Sequence, residues 1–247
     1  MKDVILKIAF NEQVGSSTYH MRLLGDTSEI KNPGEFINIS LPGYFLRRPI
    51  SVFDFGEGYV DILYKVLGKG TKDMSSLPKG TKLNVLVGLG NGFSIKEKVK
   101  PTLIGGGIGI APLYSLALKF NEKGIRPTLI YGARNESDLV LVDKFASLCD
   151  VYLCTDDGSK GVKGTILDCI KVNDLNIEYY YACGPYRMLQ ALASSYKDGV
   201  VSLEARMGCG FGACMGCSIE TTDGPKRVCK EGPIFSSSEV IFWWIQK

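Results

Sequence analysis

No run of apolar residues in this sequence approaches the roughly 18 that a membrane helix requires. The opening VILKIAF is broken by Lys7 and lacks a small-residue cleavage site, so neither an anchor nor a secretory leader is expected, and the chain reads as cytoplasmic. Charge of one sign is equally scarce. The net charge of +3 comes from interspersed lysines and acids, which gives no basic block for nucleic acid or an anionic membrane surface, and neither partner is assigned. There is one histidine, His20. His20 and Arg22 alternate with Tyr19, Met21 and Leu23, and this period of two places the imidazole on the outward, solvent face of a strand. No internal repeat occurs, and no low-complexity tract beyond Ser236 to Ser238.

What is present suits two or three small domains. The 247 residues exceed what one core usually organises, while 45% hydrophobic and 22% charged residues allow each domain a core. Residues 1–98 predict an antiparallel β-barrel: NPGE, LPGY, FGEGY and LPKG mark turns between alternating runs such as Ile37, Ile39 and Leu41, or Val60, Ile62, Tyr64 and Val66. Each strand offers one apolar face. The lysine-rich segment 95–101 reads as a linker. Residues 99–205 change rhythm: a buried strand TLI leads into a helix carrying Leu113, Leu116, Ala117 and Phe120, with a C-terminal glycine at Gly124. Further strands are expected at 127–131, 151–155, 179–183 and 200–203, with helices near 138–148 and 185–195, which together make a doubly wound parallel sheet. Residues 206–247 form a glycine- and cysteine-rich loop domain, too short for a core of its own.

The eight cysteines suit metal ligation better than disulfides in a reducing compartment. Cys209, Cys214, Cys217 and Cys229 follow the C-x4-C-x2-C pattern with a distant fourth cysteine, the plant-type spacing of a 2Fe-2S cluster. Gly208, Gly210, Gly212 and Gly216 leave room for backbone N–H groups to approach the sulfurs. A four-cysteine zinc site usually presents two close C-x2-C pairs, and here there is one. Cys149, Cys154 and Cys169 have no mutual spacing and read as small buried hydrophobes.

TLIGGGIGIAPL puts Gly105, Gly106, Gly107 and Gly109, with Ile108 among them, between a strand and a helix, where N–H groups can face a pyrophosphate. The match to G-x-G-x-x-G is imperfect because Ile110 takes the third glycine position. A second turn, Cys183, Gly184 and Pro185, lies where open α/β sheets bind ligands. Arg134 after the second strand favours a 2′-phosphate, whereas Asp156 and Asp157 after the third can take ribose hydroxyls, so NAD and NADP both stay open.

The barrel carries FLRRPIS and LYKVLGKGT, the first with an arginine suited to phosphate and a serine hydroxyl suited to a flavin edge. Taken in order with the glycine turn, the CGP turn and the terminal cysteines, these motifs resemble the ferredoxin-reductase superfamily. Within it, nearly the whole chain is similar to the electron-transfer subunits of type 1B, NAD-dependent dihydroorotate dehydrogenase. The resemblance implies FAD contacts at Arg48, Pro49, Ile50 and Ser51, at Leu63, Tyr64 and Lys65, and at Gly70 and Thr71. Ile50 stands where many relatives have an aromatic residue. It implies NAD(H) contacts at Gly105 to Gly109 and Cys183 to Pro185, and 2Fe-2S ligation by Cys209, Cys214, Cys217 and Cys229. The implied partner is a catalytic subunit carrying FMN and the dihydroorotate site, in a heterotetramer with two of each chain, serving pyrimidine biosynthesis. No side chain of this chain need act as acid or base, because the flavin joins the two-electron nicotinamide to the one-electron cluster.

Two alternatives share parts of this layout: the small subunit of an NADH-dependent ferredoxin:NADP oxidoreductase, and a non-catalytic zinc-binding adaptor. The aromatic run Ile241, Phe242, Trp243, Trp244 and Ile245 is expected either to pack as a last strand or to anchor a partner.

Overall fold

The computed structural model of the chain describes residues 1–242. Its first half is a closed antiparallel barrel of β1 (Lys2–Gln13), β2 (Thr18–Leu24), β3 (Phe36–Ile39), β4 (Arg48–Gly56), β5 (Tyr59–Lys65) and β6 (Lys82–Leu89), in the order β1-β2-β5-β4-β3-β6. A short helix, α1 (Lys69–Ser75), bridges β5 and β6. Inward residues such as Leu6, Ile8, Met21, Leu23, Ile37, Val52, Ile62 and Val85 are fully buried in one cluster, as period-two alternation requires.

The second half is a seven-stranded sheet built from β7 (Pro101–Gly106), β8 (Thr128–Ala133), β9 (Asp150–Thr155), β10 (Val162–Lys163), β11 (Tyr179–Cys183) and β12 (Gly199–Ser202), all parallel. After the β13 (Ser218–Thr221) and β14 (Gly224–Arg227) hairpin, β15 (Ile234–Ser236) returns to pair antiparallel with β12, giving the order β10-β9-β8-β7-β11-β12-β15. The helices are α2 (Ala111–Glu122), α3 (Val142–Ala146), α4 (Ile166–Val172) and α5 (Tyr186–Ser195). Successive residues of the central strands go to opposite cores. Leu103, Leu129 and Tyr181 pack with α2 and α3, whereas Ile104, Ile130 and Tyr180 pack with α4, α5 and the C-terminal segment.

Three expectations change. The helix near 138–148 is a 3-10 turn at Glu136–Asp138 followed by the short α3. The helix α4 is additional to the expected elements, and Thr165 and Asp168 form a capping box at its start. The segment after Arg206 has no core of its own, as its length implies, but it is packed into a shared one: Cys217, Ile219, Val228, Phe235 and Val240 join the core on one face of the sheet.

His20 is the clearest correction. It does point outward from the barrel, yet it is buried, because α2 covers that side: Phe53 stacks on Tyr114 at 4.4 Å and His20 lies edge-on to Phe53 at 5.3 Å. Its Nε2 lies 3.0 Å from the buried Asp61, which also takes Arg22 at 2.6 Å. For the same reason Leu63 and Asp61 on β5 are as buried as the inward Ile62. Of the aromatic run, Ile241 and Phe242 are partly buried, with Phe242 5.5 Å from the Tyr186 ring. Trp243, Trp244 and Ile245 lie outside the described residues.

Candidate functional site

Two neighbouring compartments open where β4 and β5 meet the C-terminal ends of β7 and β11. The smaller, about 280 Å³, is lined by Arg48, Pro49, Ile50, Ser51, Leu63, Tyr64, Lys65 and Thr71 from the barrel, and by Ile108, Gly109 and Cys183 from the sheet. The larger, about 880 Å³, is lined by Gly106, Gly107, Ile108, Gly184 and Pro185, together with Arg134, Asp138, Asp156 and Arg187. Lys65, Ile108 and Glu204 face both. The two compartments are therefore neighbours across these three side chains.

The two turns of the sheet interlock. A Cβ on Gly109 would sit 2.3 Å from the Cys183 carbonyl oxygen, and one on Gly184 would sit 2.9 Å from Gly106 Cα. Backbone can approach backbone there only without side chains, and this aligns both turns on one cleft wall. Gly105 and Gly70 do not line either compartment. Gly105 makes room for Ile110, and Gly70 makes room for the Arg48 guanidinium, whose Nε would be 2.4 Å from a Cβ. Arg48 also lies over the Tyr44 ring at 4.6 Å and, among the described residues, hydrogen-bonds only to the carbonyls of Leu46 and Arg47, so its charge is available to an anion. Tyr64 turns its hydroxyl into the barrel, donating to Asn11 at 2.8 Å, and Thr71 accepts from the N–H groups of Leu67 and Gly68.

Sequence reasoning did not single out Asp138 or Glu204. Asp138 accepts from Lys65 at 3.0 Å and from Arg134 at 3.1 Å, tying β5 to the turn after β8. Burial opposes its ionisation, but these two cations outweigh burial and hold the carboxyl below the usual aspartate range. Glu204 remains open to the cleft, yet the protein crowded around it raises its carboxyl above the usual range. It follows β12 at the carboxyl edge of the sheet, so strand order was the signal that could have found it. Burial also raises the neighbouring Cys183 thiol.

The cysteine loop lies beside this cleft: Ala205 and Met207, four and two residues ahead of Cys209, line the smaller compartment. Its four cysteines fall into two pairs. Cys209 N–H donates to Cys214 Sγ at 3.4 Å, Ala213 N–H to Cys209 Sγ at 3.2 Å, and Cys229 N–H to Cys217 Sγ at 3.4 Å. Burial opposes ionisation at Cys209, but the backbone N–H groups of Phe211 and Cys214 help bring its thiol down to about 6, while burial and Cys217 push the Cys229 thiol up to about 12. Gly210, at φ +78°, takes the left-handed turn this wrapping needs. Arg227 fastens the loop by donating to the Gly212 carbonyl and pairing with Glu231. Among the described residues no three Cys, His, Asp or Glu side chains are arranged to hold a single metal ion. Two thiolate pairs with N–H donors to sulfur fit the two irons of a 2Fe-2S rhomb, so the residues present suit that group.

A six-stranded barrel, a parallel sheet sharing its cleft, and a cysteine loop beside both define a ferredoxin-reductase-type oxidoreductase with an appended iron–sulfur domain. Residues 103–194 match the oxidoreductase NAD-binding domain and residues 204–241 match the iron–sulfur cluster binding domain of dihydroorotate dehydrogenase B. The chain is 40% identical to the dihydroorotate dehydrogenase B (NAD(+)) electron transfer subunit of Fusobacterium nucleatum, over 93% of this chain and 95% of that one. It is 34% identical to the subunit of that name from Geobacillus kaustophilus, over 96% and 97%. The chain belongs to the family of dihydroorotate dehydrogenase B electron-transfer subunits. Among solved structures it resembles an NADH-dependent reduced ferredoxin-NADP oxidoreductase, with TM-score 0.88, 28% identity and coverage of 97% of this chain and 90% of that one. Phthalate dioxygenase reductase shares the fold at TM-score 0.67 and 19% identity, over 89% and 87%.

Proposed function

We propose that this chain passes electrons from a catalytic dihydroorotate dehydrogenase subunit to NAD+ in pyrimidine biosynthesis, using a 2Fe-2S cluster and FAD. The observation that carries this reading is adjacency. Lys65, Ile108 and Glu204 line both compartments, and the smaller is also lined by Met207, two residues from Cys209. When bound, FAD supplies the exchange between a two-electron nicotinamide and a one-electron cluster.

The chain's own residues bind and orient. Arg48, given room by Gly70, holds the flavin phosphates with Thr71; Pro49, Ile50, Ser51 and Leu63 to Lys65 border the ring; Gly106 to Gly109 and Cys183 to Pro185, with Gly105 making room behind them for Ile110, seat the dinucleotide against it. Cys209, Cys214, Cys217 and Cys229 hold the cluster. The three units are residues 1–98, 99–205 and 206–247. The partner carries FMN and the dihydroorotate site, and two copies of each chain form a heterotetramer. Eight unpaired thiols suit a reducing cytoplasm. A second reading, a subunit of an NADH-dependent ferredoxin:NADP oxidoreductase, draws support from the TM-score of 0.88 to such a structure.

Reconstitution separates these readings. The chain alone should pass electrons from NADH to dyes and leave dihydroorotate untouched, and adding the FMN-bearing subunit should create dihydroorotate:NAD oxidoreductase activity. Dihydroorotate oxidation by the chain alone, or failure of the pair to couple dihydroorotate to NAD+, would overturn the proposal.

A further inference from the structure

Resting on the reading of the smaller compartment as the FAD site, we infer that Asp138 is a positioning residue for the flavin: it holds Lys65 where the two compartments adjoin and offsets the ammonium charge, which keeps the flavin's reduction potential below the value the unpaired lysine would set. Lys65 ends β5 and borders both compartments. Its Nζ donates to Asp138 Oδ1 at 3.0 Å, across 73 residues of sequence and from one half of the chain to the other. Reduction adds electrons to the flavin ring, so a nearby cation favours the reduced state, and a carboxylate paired with that cation weakens the effect.

The carboxylate is placed by its own half of the chain, not by the lysine. Asp138 N–H donates to the Asn135 side chain at 3.2 Å, and the Asp138 carbonyl accepts from the Tyr131 hydroxyl at 3.2 Å. That hydroxyl in turn accepts from Val140 N–H at 3.2 Å, and Tyr131 is buried. The barrel meets the same turn a second time: a Cβ on Gly15, in the connection between β1 and β2, would sit 2.6 Å from Val140 Cγ1. Packing on both sides therefore frames the ammonium and its carboxylate.

Among the charged groups here, Asp138 is the one that meets the lysine. The side chains of Lys65 and Asp138 are 20% and 7% exposed, so water and salt screen their pair little. Arg134 also donates to Asp138 Oδ2, at 3.2 and 3.1 Å, but it is 73% exposed and solvent screens it far more. Glu204, the other carboxyl bordering both compartments, has no hydrogen bond or ion pair among the described residues, and the protein crowded around it favours its neutral form. The offsetting charge comes from Asp138.

The test is an equilibrium redox titration of the protein carrying FAD and its cluster, with the flavin and cluster bands followed separately. Asp138→Asn keeps the shape of the side chain and removes its charge. It should raise the flavin potential, increasing the reduced-to-oxidised ratio at a fixed potential about tenfold, or about 30 mV for a two-electron couple. Lys65→Met should shift that ratio about as far in the opposite direction, and it reads the same pair should Asp138→Asn fail to fold. A pair that merely straps the two halves together would lower the melting temperature of both variants and leave the flavin ratio in place. If both variants retain FAD and keep the ratio within about twofold of the parent, or move it in the same direction, the assignment is overturned. A parent protein that takes up no FAD would overturn the underlying reading instead.

Discussion

The Asn38 side-chain amide donates to the Cys209 carbonyl at 3.3 Å, joining barrel strand β3 to the cysteine loop across 171 residues of sequence. Asn38 is 1% exposed, and a side chain on Gly210 would place its Cβ 2.3 Å from the amide nitrogen. This contact ties the loop to the barrel. Asn38→Leu keeps the bulk and removes the donor, and a buried acceptor left without a partner costs about 1–3 kcal/mol. Flavin should be retained, and a chelator should remove iron faster by about five- to a hundredfold. Unchanged iron release would show that the amide does not brace the loop.

Cys214→Ser should lose the cluster while keeping FAD and NADH-dependent reduction of a two-electron dye. Cys214 is exposed, whereas the smaller compartment, proposed for FAD, is walled by β4 and β5. Order lost with the cluster should be confined to residues 208–216, because Cys217, Ile219, Val228 and Cys229 are held by apolar packing. Hydrogen exchange reads this directly. Fast exchange extending through 217–229 would contradict it.

Arg48→Ala should chiefly weaken FAD binding, by about 1.5–3 kcal/mol, as expected for a charge-assisted contact to phosphate. Ser51→Ala should cost about 0.5–1.5 kcal/mol in binding and change flavin reduction rate or potential more. Equal FAD retention in the two variants, measured by equilibrium dialysis, would refute the assigned roles.

Acid should weaken the junction between the barrel and α2 through Asp61. Burial alone would raise this carboxyl, but His20 and Arg22 hold it below the ordinary aspartate value. A carboxyl depressed in the folded state contributes fully above its unfolded pKa, about 3.9, and that contribution is lost as pH falls through the lower folded value. Glu35, raised by burial, acts in the opposite sense: its charge costs stability at neutral pH, and the cost disappears as pH falls below its raised pKa. Asp61→Asn should therefore lower stability at pH 7 by about 2 kcal/mol, less than a fully buried pair because Arg22 is 37% exposed, and flatten the loss of melting temperature below about pH 4. An acid-side loss as steep in the variant as in the parent would place the acid sensitivity elsewhere.

The features legible in the sequence were local. The spacing of Cys209, Cys214 and Cys217, the glycines at 105–107 and 109, and the alternation along β1 to β6 each lie within a few residues, where backbone geometry and side-chain period leave few choices. The capping box at Thr165 is equally local. No local pattern shows that Asn38, Asp61 and His20 lie beneath other parts of the protein.

The amino-acid sequence by itself determined the strand phase, the turns and the cluster spacing. It determined that His20 points out of the barrel; tertiary structure decided that outward means against α2 and Phe53 rather than into water. Tertiary structure likewise decided that Asn38 meets Cys209, that Lys65 and Asp138 close the cleft from two halves of the chain, that Asp156 comes to the end of β8, and that β15 completes the sheet. Alternation specifies which side of a strand a residue occupies, whereas its burial depends on what other part of the chain packs there, and those contacts join residues 23 to 171 positions apart.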